Sequence, residues 1–337
     1  MRRYLIIAAI LLFTSCSKTP ENNDTPPQQE TTDKAAELMG KLWSTSPLNA
    51  GNTDRKSTFA ELQGYADGCA NTIFSNYLTA NETVASSLEN STTILGCYDA
   101  AFDRVLDGIK NDRLANGEVH IWMLYNMGYL VKTPSGCFAI DIYHRRAAEL
   151  APYLDFYCIT HVHQDHKSES LIEAMKTAGK PVLSNFLEGS VYTSTETSDY
   201  TIGTFKIHTF ITNHNNGSTN VPVTVFQVSC DGTAGNFVLL HSGDSNFIPA
   251  QYDVTADIDV YIPRYAPNAL TENDIIGAVI HPEYVLLAHI LELSHKDPSD
   301  SRWTLEQGLV RASQLNCDKT YMPFWGEKLI WKNGKLN

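Results

Sequence analysis

Residues 156–166 read Phe156-Tyr157-Cys158-Ile159-Thr160-His161-Val162-His163-Gln164-Asp165-His166. The first four side chains are mostly apolar and predict a buried strand, which ends in a loop with three histidines and an aspartate within six positions. Buried imidazoles and a carboxylate each need partners, and so dense a cluster repels itself as its members become protonated. A bound cation resolves this conflict, because imidazole nitrogens and carboxylate oxygens are ligands for zinc and neighbouring divalent metals. The stretch therefore predicts a metal site at the end of a strand.

The run from His161 to His166 resembles the HxHxDH signature of the metallo-β-lactamase superfamily. That superfamily is expected to place a third histidine after a strand, an aspartate after glycine at another strand end, and a last histidine at a later strand end. In this sequence those positions are matched by His214, by Asp244 after Gly243, and by His289. The resemblance covers residues 118–337 and implies an α/β fold, an αββα sandwich of two mixed sheets with the metals at one edge.

The resemblance also implies a set of ligands for two divalent metal ions, with Zn²⁺ expected and iron or manganese as alternatives. One metal would be bound by His161, His163 and His214, the second by Asp165, His166 and His289, with Asp244 bridging them. Two adjacent cations lower the pKa of a shared water and polarise the group that it attacks, which indicates hydrolysis. Asp165 is the predicted catalytic residue, because it is placed both to bind metal and to orient or deprotonate that water.

Alternatives remain open for two ligands. His208 lies six residues before His214 on the same predicted strand, and we prefer His214 because a loop after a strand reaches the metal edge. His289 directly follows an apolar run and is preferred as the last ligand, with His295 as the alternative.

Five further residues are candidates for supporting roles. Asp141 ends a predicted strand and is expected to hydrogen-bond a ligand histidine and fix its tautomer. Arg264 and Tyr265 are candidates for substrate contact, since arginine suits a carboxylate or phosphate, with a surface turn as the alternative. Glu292 and His295 are candidates for lining the pocket as substrate or proton-transfer groups, with surface-loop positions as the alternative.

The rest of the chain divides into a helical part and a strand-rich part. Residues 36–117 predict helices over 57–77 and 88–109 joined by a loop at 79–83, in which Cys69 and Cys97 form a disulfide or remain separate buried thiols. Residues 118–337 predict helices at 168–178 and 303–315. Twelve short strands are predicted there, at 119–124, 129–131, 138–141, 156–159, 181–183, 205–212, 223–230, 236–241, 259–263, 284–288, 319–324 and 328–331.

The N-terminus predicts export. Residues 1–15 combine Arg2 and Arg3 with a ten-residue apolar run, too short to cross a bilayer and typical of a signal peptide. The sequence Phe13-Thr14-Ser15-Cys16 resembles the lipobox of bacterial lipoproteins, which implies a lipid anchor on Cys16 and a place in the bacterial cell envelope. Residues 16–35 are strongly polar and predict a tether.

Composition narrows the function. The 337 residues are 43% hydrophobic and carry a net charge of −13, which supports a large core and argues against a nucleic-acid partner. All 11 histidines lie at or beyond His120. The sequence thus predicts an envelope-anchored, metal-dependent hydrolase of a small ester, lactone or phosphodiester, with the oligomeric state left open. Two alternatives remain: an iron-dependent oxidoreductase or dioxygenase on the same fold, and a non-catalytic binding lipoprotein.

Overall fold

The computed structural model describes residues 27–216, 219–265, 269–272, 275–295 and 302–337. The predicted signal peptide at 1–15 and the lipid anchor at Cys16 lie outside these residues and stay predictions. Within the described part of the chain, no helix combines the length and the apolar character needed to cross a membrane.

Five helices form the N-terminal part, and they differ in detail from the prediction. They are α1 (Pro27–Trp43), α2 (Thr53–Asp67), α3 (Asn71–Thr79), α4 (Glu82–Ser91) and α5 (Thr93–Asn111). The predicted helix 57–77 is divided at Gly68, and the predicted helix 88–109 is divided at Thr92, because local caps end and restart the backbone hydrogen bonding there. Helix α1 begins inside the range 16–35 that was predicted to be a tether.

Of the two alternatives for Cys69 and Cys97, the structure shows separate thiols and no disulfide between them. Cys69 and Cys97 are separate, buried free thiols. The Sγ atom of Cys97 contacts the backbone carbonyl of Ala35 in α1, and that of Cys69 contacts the carbonyl of Ala70. Each thiol therefore packs as a small apolar group within the helical part.

Two mixed seven-stranded sheets follow, which confirms the predicted α/β class and the two-sheet sandwich. Their strands are β1 (Glu118–Tyr125), β2 (Gly128–Thr133), β3 (Gly136–Ile140), β4 (Phe156–Cys158), β5 (Val182–Leu183), β6 (Ser198–Ile202), β7 (Phe205–Asn216), β8 (Thr219–Ser229), β9 (Val238–His241), β10 (Val260–Ile262), β11 (Tyr284–Leu286), β12 (Thr320–Tyr321), β13 (Lys328–Lys332) and β14 (Lys335–Leu336). The first sheet has the order β14-β13-β1-β2-β3-β4-β5 and the second β12-β11-β10-β9-β8-β7-β6. Strands β6 and β14 were not predicted, because short or half-exposed edge strands lack a continuous apolar run.

The sheets pack face to face through aromatic side chains. The rings of Phe138 and Phe156 in the first sheet stack 4.9 Å apart, and both meet Phe205 of the second sheet edge-on at 5.5 and 5.3 Å. Helices α5 and α6 (Glu169–Thr177) cover the first sheet. Helix α8 (Leu305–Ala312) packs against α2 and against Met322, the residue after β12, and the short α7 (Ala269–Glu272) follows β10 in the chain. In the parallel parts, β3-β4-β5 and β9-β10-β11-β12, the carboxyl ends of the strands share one edge, where α/β folds bind ligands.

Candidate metal centre

The site lies where the carboxyl ends of strands from both sheets meet. The first sheet contributes His161 to His166 from the loop after β4. The second sheet contributes His214 from β7, Asp244 after β9 and His289 after β11. His214 was expected in a loop after its strand, but it lies within β7, because that strand continues to Asn216 in pairing with β8.

The structure brings all seven predicted ligand residues together in overlapping groups. In each group, one donor atom from every residue lies within 4.8 Å of the others; the groups are His161-His163-His214, His161-His166-Asp244 and Asp165-His166-His289. The first and last correspond to the two predicted ligand sets. The carboxylate of Asp244 lies between them, 3.4 Å from Nε2 of His214, 3.4 Å from Nε2 of His289 and 3.5 Å from Nε2 of His166.

The donor chemistry of this cluster fits a pair of divalent cations. Nε2 of His166 and Oδ1 of Asp244 are buried and make no hydrogen bond among the described residues, although Nε2 lies 3.2 Å from Oδ2 of Asp165 and 3.5 Å from Oδ1 of Asp244. Buried polar atoms without partners are costly, so atoms left in this state beside other donors indicate a ligand that they would bind. Five imidazoles with two carboxylates form a set that zinc and neighbouring metals accept.

Electrostatics divide the cluster into two halves. Burial lowers the pKa of His161 and of His163, and it lowers the pKa of His214 to about 4 in spite of the nearby Asp244. These three imidazoles are therefore neutral at pH 7, which is the form that binds a metal through a ring nitrogen.

The other half, formed by Asp165, His166, Asp244 and His289, contains both carboxylates of the cluster. Burial alone would lower the pKa of His289, but the carboxylates of Asp244 and Asp165 raise it to about 10. His166 behaves in the same way, with a pKa well above its usual value, while the pKa values of both carboxyl groups are held well below theirs by the two imidazoles, against the effect of burial. This half therefore attracts positive charge, which protons supply when no metal ion is present.

Asp141 anchors the ligand loop from behind. Its buried carboxylate lies 2.8 Å from Nδ1 of His166 and accepts hydrogen bonds from the amide and the hydroxyl of Thr160, at 2.8 and 2.7 Å. A proton on Nδ1 that donates to Asp141 leaves Nε2 of His166 directed at the cluster. Asp141 directly follows β3 and has a φ of 51°, so its backbone adopts the left-handed conformation.

Sequence reasoning missed Asn126, which lies in the turn between β1 and β2. Its side-chain amide donates to Oδ2 of Asp165 at 2.9 Å, and its backbone carbonyl accepts a hydrogen bond from the backbone amide of His289 at 3.1 Å. One residue thus supports two ligands of the second predicted metal. The only sequence signal was the Asn-Met-Gly turn, which predicts a tight connection and no chemistry.

Arg264 and Tyr265 are both buried. Nη1 of Arg264 lies 3.5 Å from Oδ2 of Asp244, and its other nitrogens donate to the carbonyl of Ser245 and the side chain of Asn246. Its guanidinium therefore faces the bridging position. The ring of Tyr265 packs against Trp303, 3.9 Å between centroids, which places it beneath the surface as a packing residue.

Glu292 and His295 occupy one turn beside the site. The carboxylate of Glu292 is buried and accepts hydrogen bonds from the hydroxyl of Tyr125 and the amides of Ser294 and His295. It therefore shapes the turn. His295 is partly exposed, with its ring 6.3 Å from that of His289, and it belongs to none of the three donor groups formed by described residues.

The remaining strand histidines have partners elsewhere. His208, the alternative to His214, pairs with Asp199 at 2.9 Å and contacts the carbonyl of Asp253. His120 pairs with Asp112, and His241 contacts the carbonyl of Met127. The structure thus gathers His214 and His289 into the cluster, and it places the alternatives His208 and His295 outside it.

No protein-family model matches the sequence, and no curated relative matches it. Among solved structures, a metallo-β-lactamase fold protein from Bacillus subtilis is 14% identical, with 64% of this chain and 99% of that protein covered and a TM-score of 0.46. A metallo hydrolase from the archaeon Ignicoccus hospitalis is 16% identical, with 64% and 99% covered and a TM-score of 0.44. A diiron β-hydroxylase from Streptomyces venezuelae is 11% identical, with 66% and 55% covered and a TM-score of 0.45. These are proteins that this chain is similar to, and the functional conclusion rests on the side chains of its own site.

Proposed function

We propose that this protein is a metal-dependent hydrolase that binds two divalent cations, Zn²⁺ by preference, and acts on a small ester, lactone or phosphodiester. The observation that carries the proposal is the convergence of five imidazoles and two carboxylates from both sheets, with buried donor atoms that make no hydrogen bond among the described residues. An assembly of this kind is costly to keep without a ligand.

The chain's own residues divide the work of the reaction. His161, His163 and His214 would hold one cation and Asp165, His166 and His289 the other, with Asp244 between them. When bound, such a pair lowers the pKa of a shared water and polarises the group to be attacked. Asp165 is only partly buried, and Asn126 donates to its Oδ2, so its carboxylate is held in one orientation within the cluster, where it would orient the attacking water or take up its proton.

The test is a comparison of two histidines on the same strand. Purified protein is analysed for metals by elemental analysis and assayed on a panel of esters, lactones and phosphodiesters, alongside His214→Ala and the control His208→Ala. We expect about two zinc ions per chain, activity lost in His214→Ala and in Asp165→Ala, and activity kept in His208→Ala, because His208 pairs with Asp199 away from the site.

Other outcomes would favour the other functions. Protein purified without metal, or a His214→Ala variant as active as the wild type, would contradict the proposal. Bound iron with oxygen consumption would favour the oxidoreductase alternative. Bound metal with no hydrolysis of any substrate in the panel would favour a binding protein.

We also propose that the protein is held on the bacterial cell envelope by a lipid on Cys16. The proposal rests on the signal-like residues 1–15 and on the cysteine that follows them. Cells grown with a fatty-acid analogue should label the wild-type protein and not Cys16→Ala. Equal labelling of the two proteins would contradict the anchor.

A further inference from the structure

Two buried arginines connect helix α2 to the later part of the chain, and they do so at different places. Arg55 and Arg302 are each 1% exposed. Arg55, within α2, pairs with the carboxylate of Glu327 and donates to the carbonyl of Met322. Arg302 instead reaches the end of α2 from outside, and its contacts lead toward the candidate metal centre.

The guanidinium of Arg302 joins two segments through their backbone carbonyls. Its Nη1 donates to the carbonyl of Ala66 in the last turn of α2 at 2.9 Å and lies 3.4 Å from that of Cys69. Its Nε donates to the carbonyl of Glu292 at 3.2 Å, and Nη2 donates to the carbonyls of Leu293 and His295 at 3.0 and 2.7 Å. Arg302 therefore donates to backbone carbonyls of two segments that are far apart in the sequence.

Electrostatics favour a cation at this position. The last turn of α2 contains no basic residue, and the carbonyls at the end of a helix carry partial negative charge. Arg302 supplies the cation that the last turn of α2 lacks, and the carbonyl groups stabilise a guanidinium that is almost completely withdrawn from water. The end of α2 and the turn at 292–295 therefore share one charged group.

The segment held in this way begins at a predicted metal ligand. His289 and Leu291 have φ values of 62° and 58°, which non-glycine residues rarely adopt without support from their surroundings. The hydroxyl of Tyr125 in β1 accepts the amide of Leu293 at 2.6 Å and donates to the carboxylate of Glu292 at 3.0 Å. Arg302 holds the same turn through its backbone carbonyls.

We propose that Arg302 is a positioning residue through which the N-terminal helices hold residues 289–295 in the conformation that brings His289 to the second metal. The inference rests on the proposed function, since it assumes that His289 binds a cation. It assigns the helical part a role in completing the metal centre.

The test compares two variants, each of which replaces one of the two buried arginines that contact α2 or lie within it. Arg302→Met is compared with the control Arg55→Met/Glu327→Gln, which removes the other link without touching residues 289–295. Metal-free proteins are titrated with Co²⁺, followed by its visible absorption, and amide hydrogen exchange is measured for peptides that cover 289–295. We expect Arg302→Met to bind the second Co²⁺ roughly 10- to 100-fold more weakly, which is the range found when groups that orient metal ligands are removed.

Hydrogen exchange should separate positioning from general stability. In Arg302→Met, we expect the amides of 289–295 to lose protection while the strands of the first sheet keep theirs. The control should bind two Co²⁺ ions as the wild type does, with protection at 289–295 unchanged. Arg302→Lys should recover part of the affinity, because lysine restores the charge but not the planar set of donors.

The results also separate this inference from the proposed function. Wild-type protein that binds no Co²⁺ would overturn the metal centre, and the inference with it. Wild-type protein that binds two ions, with Arg302→Met binding both equally well, would overturn the inference alone. If Arg302→Met does not fold, Tyr125→Phe removes the other support of the same turn, and unchanged second-site affinity and unchanged protection of 289–295 in that variant would overturn the inference.

Discussion

Gly243 occupies a position where even one methyl group should disturb the metal centre. It precedes Asp244 and has a φ of +48°. A Cβ atom built on its backbone would lie 2.6 Å from Cβ and Oγ1 of Thr160 and 2.8 Å from its Cγ2. Thr160 cannot easily move away, because its hydroxyl and its amide both donate to Asp141. Gly243→Ala should therefore strain the backbone at this position and push Thr160 against Asp141, the residue that orients His166.

The magnitude follows from these two effects. A left-handed backbone costs a residue with a Cβ atom about 1–2 kcal/mol relative to glycine. Forcing an extra carbon into a packed interior adds about 1–3 kcal/mol. We expect Gly243→Ala to lower the free energy of unfolding by roughly 2–5 kcal/mol and, through Thr160 and Asp141, to weaken metal binding about 10-fold or more.

The matched control is Gly203→Ala. Gly203 has a similar φ of +56°, but a Cβ atom there would meet nothing within 4 Å. Gly203→Ala should lower the free energy of unfolding only through backbone strain, by about 1–2 kcal/mol, and should leave metal binding unchanged. The assay is urea unfolding of metal-free protein, followed by titration with Zn²⁺ against a coloured chelator. Equal losses of stability in the two variants, or wild-type metal affinity in Gly243→Ala, would refute the reasoning.

Three more predictions follow from the same structure. Asp141→Asn should weaken metal binding about 10- to 100-fold in a competition titration, whereas Asp199→Asn, which loses a partner of His208 instead, should leave it unchanged. Removing metal with a chelator should lower thermal stability, since a ligand at 100 times its Kd contributes about 2.7 kcal/mol, and His214→Ala should show a smaller difference between metal-loaded and metal-free protein. Burial lowers the pKa of His144 well below its usual value, so the unfolded chain binds a proton there below about pH 6.5 and the folded chain does not. Stability should therefore decrease as the pH is lowered below about 6.5, by up to about 1.4 kcal/mol per pH unit from this group, and the decrease should be shallower in His144→Phe.

The seven predicted donor residues lie together in the structure, and their pattern in the sequence is local. A strand that ends in His161 to His166 is a contiguous signal, and the later donors each follow or end an apolar run. Most of the strands could be predicted for the same reason, since alternating and continuous apolar runs mark buried strands. Their arrangement as a sandwich of two sheets was implied by the resemblance to the metallo-β-lactamase superfamily. We preferred His214 to His208 because a loop after a strand was expected to reach the metal edge of the sheets. In the structure, β7 continues past His214 to Asn216.

The supports of the site could not be predicted in this way, because they join residues that are distant in sequence. Asn126 reaches Asp165 and His289 from a turn between two strands, and Arg302 joins the end of α2 to the turn at 292–295. Each bond depends on how whole elements pack. Glu292 illustrates the same limit, since an acidic residue near a metal motif suggested a pocket group, whereas its carboxylate is buried in hydrogen bonds that shape a turn.

Backbone strain shows how far the geometry of this site depends on distant contacts. Seven non-glycine residues have positive φ values in the described part of the chain, and four of them are at or beside the site: Asn126, Asp141, His289 and Leu291. Such conformations cost on the order of 1–3 kcal/mol each and persist only where the surroundings fix them. At Asp141 the constraint is the pair of bonds from Thr160, and at His289 it is the carbonyl of Asn126. Removing one of these contacts should therefore release the strained residue and move a ligand before it unfolds the protein.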